Sequence, residues 1–562
     1  MVVTTCARAR LPILGVSLLV AILSSPEMSA ADATAPDLLE VRAAASTARR
    51  AADGRAVVRR RSAGVRPGVL IDADGSPRLR AGDRVRLNLF DDVNVVATIT
   101  NVARTQAGYT WGGRLDGIDR GHAVLAVHGD AVVGSVVLPK AVYRIGYAAD
   151  GTPVVEEVDA GALPDDAAPV VPPVVPAPRA LSDTPATVSD SGTQIDVMVV
   201  YTATARAAAG GTAAMLAEVD MAVASANQAY ASNGLVQRLR LVFAAETAIT
   251  ESPNPDHQTA VDADLAAVKG DARIAWLRDV TRADVVSLFT NHGSTFSFCG
   301  IAYLLADTAG FSSFAFSVVE RDCASANLTF AHEVGHNMGA HHDPASAGGL
   351  ATLFPYSHGH VDLVSRVRTI MAANTQCAAL QFNCVRIPLF STPALTFAGR
   401  PIGTAEASDN ARTLGQTSDT VAVFRQSLTS PTTLLAAVNQ PAFAAGQTVT
   451  ATVGLTTPGA GATVDIYLGV LVPDGSVAFF TPGGGVALGS VTNLASLRPV
   501  AAGVSLGTPI SVAVPYFSYR WTGNEPRGGY VLFMLAVNSG PLTPDALAAG
   551  GLVASALAAF TF

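Results

Sequence analysis

The residues best suited to chemistry lie in one short stretch, residues 330–343, which has the sequence FAHEVGHNMGAHHD. Because His332 and His336 are four residues apart, a helix places both imidazoles on one face, where they can bind the same metal ion. Glu333 lies beside them and offers a carboxylate that can accept a proton. Together these residue types indicate metal-assisted hydrolysis.

The third metal ligand is expected among the residues that follow this helix. Gly339 can adopt the left-handed conformation that ends a helix and reverses the chain, which brings His342 to the first two rings. Three neutral imidazoles leave the fourth position of Zn²⁺ open, as a catalytic site requires. Spacing favours His342 over its neighbour His341, which is expected to face solvent. His358 and His360 are expected to be polar surface residues.

The full pattern HExxHxxGxxHD resembles the signature of the metzincin zinc endopeptidases. An aspartate after the third histidine, here Asp343, is similar to the pattern of the reprolysin or adamalysin branch, and the chain resembles the secreted bacterial members of that branch. Met371, in the sequence RTIMA, matches the methionine turn of metzincins. Ala373 stands where astacin-like and serralysin-like enzymes have a tyrosine, which favours the reprolysin branch. The resemblance covers residues 193–426 and includes the less specific stretches PYSHGH, RIPLFSTP and SDNARTL. It implies that Asp343 orients the structure near the third ligand without touching the metal.

This resemblance implies an α/β catalytic domain with a mixed twisted sheet and an active-site helix. One catalytic Zn²⁺ would be held by His332, His336 and His342. Glu333 would take a proton from the attacking water and later pass it to the leaving amine. The substrate would be a protein or peptide that adds as an antiparallel strand to the edge segment Gly300–Leu305.

The N-terminal residues 1–31 have the pattern of a secretory signal peptide. Arg8 and Arg10 precede an apolar run from Leu11 to Leu23, and small residues follow that run. No later stretch reaches the roughly 18 apolar residues that a transmembrane helix needs. The protein is therefore expected to be exported and to have no transmembrane anchor.

Five cysteines are present, and the first is expected to leave with the signal peptide. In an exported chain the other four favour disulfides, for which three pairings are open. We predict Cys299 with Cys323 and Cys377 with Cys384, which close local loops around the edge segment and after the methionine turn. Zinc ligation by these thiols is the alternative, but a bound thiolate would fill the open metal position. Some metzincin propeptides place a cysteine on the zinc; residues 32–192 contain none, so latency would need another group or obstruction of the cleft.

Composition shifts divide the chain into five segments. These are a signal peptide at 1–31, a β-rich unit at 32–168, a proline-rich linker at 169–192, an α/β unit at 193–428 and a C-terminal β-sandwich at 431–562. The family resemblance implies that the β-rich unit is a propeptide, the α/β unit a metzincin-like zinc peptidase domain and the β-sandwich an accessory domain. Short alternating runs predict the β-rich units, and alternating strands and helices predict the α/β unit. The prolines of PVVPPVVPAP indicate an extended spacer without regular hydrogen bonds. A chain that carries a propeptide is a zymogen, and cleavage that releases the propeptide is expected between Arg179 and Thr193. Arg59, Arg60 and Arg61 could form a processing or binding patch, but they are expected to belong to a solvated, partly disordered leader.

The leading hypothesis is a secreted zinc endopeptidase. The 37 Lys and Arg against 45 Asp and Glu give a net charge of −8 without a basic stripe, which argues against a nucleic-acid partner. One alternative is a surface-binding or adhesive protein whose C-terminal sandwich carries the function on a protease-like scaffold; another is a zinc hydrolase that acts on something other than peptide. The sequence assigns neither a Ca²⁺ site, nor an oligomeric state, nor the residue preferred beside the cleaved bond.

Overall fold

The computed structural model describes residues 35–40, 57–106, 108–139, 141–173, 190–293, 296–459, 461, 463–548 and 550–562. The expected signal peptide and most of the expected release region lie outside the described residues. Within them the chain forms three units in sequence order, each built around one or more β-sheets.

The N-terminal unit is an antiparallel sheet. Its elements are β1 Leu39–Glu40, β2 Val57–Ser62, β3 Gly64–Val65, α1 Pro67–Leu70, β4 Arg84–Phe90, β5 Val93–Arg104, β6 Gly108–Leu115, β7 His122–His128, β8 Ala131–Leu138, β9 Ala141–Tyr147 and β10 Pro153–Val158. Eight strands pair in the order β2-β10-β9-β8-β7-β6-β5-β4, so most strands turn back on the one before. Residues that alternate along the strands, such as Leu87, Trp111 and Leu125, form a buried core on one face.

The expectation that the three arginines form a solvated leader is wrong. Strand β2 pairs with β10, where Arg59 and Arg60 form ion pairs with Glu157 and Glu156. Arg61 donates hydrogen bonds to backbone carbonyls at the end of β4. The carboxylates of β10 lie about 100 residues away in sequence, so local charge pattern alone could not place them.

The central unit is an α/β layer structure. Its elements are β11 Gln194–Tyr201, α2 Ala203–Ala208, α3 Thr212–Ser232, β12 Arg238–Glu246, α4 His257–Gly270, α5 Ala272–Thr281, β13 Val285–Thr290, β14 Gly300–Ala302, β15 Phe316–Glu320, α6 Thr329–Asn337, β16 Val361–Asp362, β17 Val367–Arg368, α7 Thr375–Ala379, β18 Val385–Arg386, β19 Thr392–Phe397, β20 Arg400–Ile402 and α8 Asn410–Val421. The main sheet has the order β12-β11-β13-β15-β14, and only β14 runs antiparallel to its neighbour. This is a mixed sheet in which β14 forms one edge.

Helices cover both faces of this sheet, which is why its strands are apolar throughout. Alternate residues of β11, such as Val197 and Val199, pack with α3 and α6 on one face. The intervening Met198 and Val200 pack with α4 and α5 on the other. Burial on both faces is typical of parallel strands with crossover helices.

The C-terminal unit has two packed sheets. Its elements are β21 Thr433–Val438, β22 Thr448–Pro458, β23 Thr463–Leu471, β24 Ser476–Phe480, β25 Val486–Ser490, β26 Ala501–Ser505, β27 Pro509–Arg520, β28 Gly529–Asn538, α9 Pro544–Ala548 and β29 Leu552–Thr561. One sheet has the order β21-β22-β27; the other has the order β25-β24-β23-β28-β29, with β26 also beside β23. Val453 and Leu532 belong to the core between them, while Phe533 on the other face of β28 contacts Trp276 of α5 at 5.1 Å between ring centroids.

A buried ion cluster joins α4 to the end of β15 in the central unit. His292 lies between two carboxylates, with its Nε2 at 3.0 Å from Asp264 and its Nδ1 against Glu320. Burial by itself would lower the pKa of His292, but the hydrogen bonds and charges of the two carboxylates outweigh it and raise the pKa to about 10.

This cluster predicts a pH dependence of stability. A histidine with a folded pKa of about 10 and an ordinary value of 6.5 binds its proton more tightly in the folded state. Its contribution to stability is therefore complete below pH 6.5 and disappears as the pH rises towards 10. We expect the difference in unfolding free energy between the wild type and His292→Gln, measured by urea denaturation, to be largest near neutral pH and below and to shrink as the solution becomes alkaline. A difference that is independent of pH would contradict the charged state of His292.

Candidate metal centre and active site

Helix α6 carries the first two predicted ligands and the predicted base. The preceding residue, Leu328, has a left-handed φ of 56°, and Gly339 two residues beyond the helix has a φ of 88°. At Gly339 the chain reverses as the sequence predicts, and the backbone N–H of Ala340 donates to the carbonyl of Gly335 at 2.9 Å. His332 and His336 therefore face the loop that follows the helix.

The structure brings the three predicted histidines together. Nε2 of His342 lies 3.1 Å from Nε2 of His332 and 3.2 Å from Nε2 of His336. All three side chains are buried, with at most 4% of the residue exposed. The convergence of three ring nitrogens on one point is the geometry that the spacing predicts.

The donor set fits a zinc ion. Nδ1 of His332 donates to the carbonyl of Ile370 at 2.8 Å, and Nδ1 of His336 donates to the carbonyl of Ala340 at 2.8 Å. These bonds fix the tautomer and leave each Nε2 lone pair for a metal. Burial lowers the pKa of His332 to about 4 and those of His336 and His342 well below 6.5, so the rings are neutral. Zn–N distances of about 2.0–2.1 Å in tetrahedral geometry match the observed nitrogen separations.

Glu333 lies beside this group with its carboxylate poised for a ligand. The side chain is buried, and neither carboxylate oxygen has a hydrogen-bond partner among the described residues. It faces the edge strand so closely that a Cβ at Gly300 would lie 2.6 Å from its Oε1. Burial, and then the nearby charge of Asp166, raise the pKa of Glu333 well above its ordinary value.

Asp343 and Met371 occupy supporting positions. Asp343 accepts hydrogen bonds from the backbone N–H of Ala373 at 3.1 Å and from the side chain of Gln376 at 2.9 Å, so it ties the residue after the third histidine to the chain after Met371. Met371 is fully buried against α6, where a Cβ at Gly335 would lie 2.7 Å from its Sδ. Only glycine allows this close approach.

The expectation that His341 faces solvent is wrong. His341 is fully buried, and its Nδ1 accepts a hydrogen bond of 2.6 Å from the backbone N–H of His342. Its ring stacks on His358 at 5.7 Å, because the backbone at His341 bridges to that at His358. Nδ1 of His358 in turn lies 2.9 Å from the carbonyl of His342. These two histidines support the third predicted ligand. His360 is half-buried, and its backbone N–H donates to the hydroxyl of Thr369 at 2.9 Å.

The cysteines pair as the sequence predicts. Cys299 is joined to Cys323 and Cys377 to Cys384, with Cα–Cα distances of 5.6 and 5.8 Å. The first bond ties the start of β14 to the turn after β15, and the second closes the loop between α7 and β18.

A segment that begins in the expected propeptide lies along β14, the edge strand beside the predicted metal ligands, where the substrate is expected to bind. The sequence did not predict this contact. Backbone N–H groups of Ala167 and Val170 donate to carbonyls of Gly300 and Ala302 at 2.8 and 2.9 Å, and Val170 accepts from the N–H of Leu304 at 2.9 Å. Val170 bridges Tyr303 in parallel, so the segment extends the main sheet beyond β14 in the direction of that strand. Among the described linker residues 169–173, Val170 alone pairs with the sheet, and it does so as an isolated bridge.

Two acidic side chains of this segment, which we call the cleft segment (residues 164–170), contact buried arginines. Asp165 lies 2.9 Å from Arg368, and Asp166 lies 2.7 Å from Arg386. Asp166 is fully buried and lies 3.3 Å from Nδ1 of His332. Burial would raise the pKa of Asp166, but Arg386, His332 and Thr329 together lower it to about 2. The adjacent aspartates at the end of the cysteine-free N-terminal unit are a sequence feature that could have drawn attention to this contact.

Fold and site together define the class of metzincin-like zinc endopeptidases, and comparison with known proteins agrees. Residues 191–383 match the family model described as metallo-peptidase family M12. A peptidyl-Asp metalloendopeptidase from Stenotrophomonas maltophilia is 34% identical over 55% of this chain and 72% of that protein. A protein with the same name from Xanthomonas campestris pv. campestris is 32% identical over 55% and 72%. Among solved structures, metalloproteinase-II from Bacteroides fragilis is similar at 8% identity and a TM-score of 0.28 over 46% of this chain and 81% of that one, too low to bear on the fold.

The chain belongs to metallo-peptidase family M12 and is a metzincin-like zinc metalloendopeptidase, which hydrolyses peptide bonds in proteins or peptides. Among the residues that the structure describes, no helix is long and apolar enough to cross a membrane.

Proposed function

We propose that the chain is a secreted zinc endopeptidase in which His332, His336 and His342 hold the metal and Glu333 is the general base. The observation that carries this proposal is the position of His342 Nε2, which lies 3.1 Å from Nε2 of His332 and 3.2 Å from Nε2 of His336. Beside these atoms lies the buried carboxylate of Glu333, which has no hydrogen-bond partner among the described residues. When bound, Zn²⁺ supplies a Lewis acid that lowers the pKa of water and polarises the scissile carbonyl.

Residues of the chain transfer the proton, orient the imidazoles and bind the substrate. Glu333 accepts a proton from the attacking water and delivers it to the leaving amine, which requires a carboxylate with free lone pairs. The hydrogen bonds of His332 and His336 to carbonyls hold both rings in one tautomer. The edge strand β14 binds the extended substrate through its backbone, so that main-chain pairing supplies affinity. Gly300 keeps this strand close to the base.

The processing scheme is part of the same proposal. Residues 1–31 direct export, residues 32–168 form a propeptide, and cleavage between Arg179 and Thr193 releases the catalytic domain at 193–428 with its C-terminal sandwich at 431–562. The apolar N-terminal run and the two disulfides support an oxidising compartment.

The substrate preference proposed here is for aspartate next to the cleaved bond. The relatives are named for peptidyl-Asp bonds. In this chain two buried arginines, Arg368 and Arg386, lie beside the cleft segment, and a carboxylate stabilises a buried guanidinium.

The test is digestion of a proteome-derived peptide library by the purified, processed protein. We expect cleavage at bonds adjoining aspartate, loss of cleavage on treatment with a zinc chelator, and recovery after Zn²⁺ is returned. Absence of cleavage by the zinc-loaded protein would contradict the proposed function, and cleavage without regard to aspartate would contradict the preference.

A further inference from the structure

The cleft segment gives direct information about the side chain that the cleft binds. Asp166 belongs to the chain's own N-terminal part, yet its side chain has no solvent exposure and lies beside the first predicted metal ligand. Its Oδ1 accepts a hydrogen bond of 2.8 Å from the hydroxyl of Thr329, the first residue of α6, and its Oδ2 lies 2.7 Å from Arg386. The guanidinium of Arg386 and the hydroxyl of Thr329 thus hold the carboxylate of Asp166 next to His332, the first predicted metal ligand.

Without the carboxylate of Asp166, the guanidinium of Arg386 would lack an ion-pair partner among the described residues. Its guanidinium is 2% exposed and donates to the carbonyl of Asn327 at 2.8 Å. Asp166 is its only ion-pair partner among the described residues. Arg368, by contrast, also donates to the backbone carbonyls of Ala372 and Cys384. These bonds indicate that Arg368 stabilises the loop after Met371. Removal of the propeptide would leave Arg386 without this counter-ion, so a carboxylate of the substrate could take its place.

The direction of the cleft segment explains how it can occupy the cleft without being a substrate. It runs parallel to β14, whereas a productive substrate is expected to run antiparallel. A reversed strand can place a side chain in a substrate pocket while its peptide groups point the wrong way for hydrolysis.

We propose that Arg386, assisted by Thr329, is the binding site for the acidic side chain of the substrate, and that Asp166 fills this site in the full-length chain. Arg386 is therefore a specificity-determining residue, and the cleft segment is an internal competitor that carries the preferred side chain. The inference rests on the proposed function for its setting, since it names the group that selects the substrate at that site.

The test measures binding and does not depend on hydrolysis. Full-length chain with Glu333→Gln serves as the background, and two labelled peptides that differ only by Asp or Asn at one position are the probes. We expect little binding of either peptide while Asp166 is present. With Asp166→Asn added, the Asp peptide should bind at least tenfold more tightly than the Asn peptide, because a charge-assisted hydrogen bond is then available.

Addition of Arg386→Gln to that variant should bring the two affinities to within about twofold of each other. The matched control is Arg400→Gln, which removes a half-exposed arginine paired with Asp362 and should leave the preference unchanged. Zinc content and thermal unfolding check the fold of each variant. Should Arg386→Gln fail to fold, Thr329→Val, which removes the hydroxyl at constant shape, should still lower the preference several-fold.

A preference for the Asp peptide that survives both Arg386→Gln and Thr329→Val would overturn the proposal. So would an Asp166→Asn variant that binds both peptides equally, or neither. Failure of the proposed function appears separately, as absence of hydrolysis by the zinc-loaded protein with Glu333 intact.

Discussion

Replacement of Glu333 by glutamine is expected to lower kcat/KM for peptide hydrolysis by about three orders of magnitude, within the range that a general base contributes. The physical reason is the loss of a proton acceptor at constant shape. Glutamine fills the same buried space beside Gly300 but cannot take the proton of the attacking water. Steady-state kinetics on a peptide cleaved by the processed wild type provide the measurement.

Zinc content separates this effect from damage to the metal site. Glu333 is not among the three converging imidazoles, so Glu333→Gln should bind zinc with the wild-type stoichiometry. Glu406→Gln, at an exposed position after β20, is the matched control and should retain wild-type activity. A Glu333→Gln protein with zinc bound and more than about a tenth of the wild-type kcat/KM would assign the base to another group.

Local spacing predicted the parts of the site that are local in sequence. His332 and His336 are fixed by the helical repeat, and the φ of 88° at Gly339 supplies the turn to His342. The disulfides close sequence separations of 24 and 7 residues, which also made them accessible to prediction. In each case, one element or one turn determines the geometry.

The parts that were missed depend on contacts between distant segments. Asp166 meets Arg386 across 220 positions of sequence, and neither residue has a periodicity that points to the other. His341 is buried because the loop at His358 folds over it, which no pattern around residue 341 reveals. Charged residues that become buried through pairing are the hardest to assign, because an isolated charge in a sequence is usually a surface residue.

The same few groups connect the metal, the base and the substrate site. Asp166 lies 3.3 Å from Nδ1 of His332 and raises the pKa of Glu333, so its presence acts on the site as well as filling it. A carboxylate there competes with an acidic substrate side chain for Arg386. Departure of the cleft segment would therefore free the edge strand and Arg386 in one step.

The third metal ligand is tested by a pair of neighbouring variants, His342→Ala and His341→Ala. We expect His342→Ala to lower zinc affinity by more than 100-fold, because it removes one of three converging nitrogens, and to abolish measurable activity. His341→Ala removes a ring that accepts a hydrogen bond from the backbone of His342, so it should lower affinity by about tenfold. Competition with a chromogenic chelator measures both values.

This comparison is well controlled because both histidines are buried and adjacent, so loss of packing affects the two variants alike. Their difference then reports which ring offers its nitrogen to the metal. The ring of His341 stacks on His358 at 5.7 Å between ring centroids and is not one of the three converging imidazoles. Wild-type zinc affinity in His342→Ala, together with loss of zinc in His341→Ala, would reverse the assignment and require the loop after Gly339 to rearrange when the metal binds.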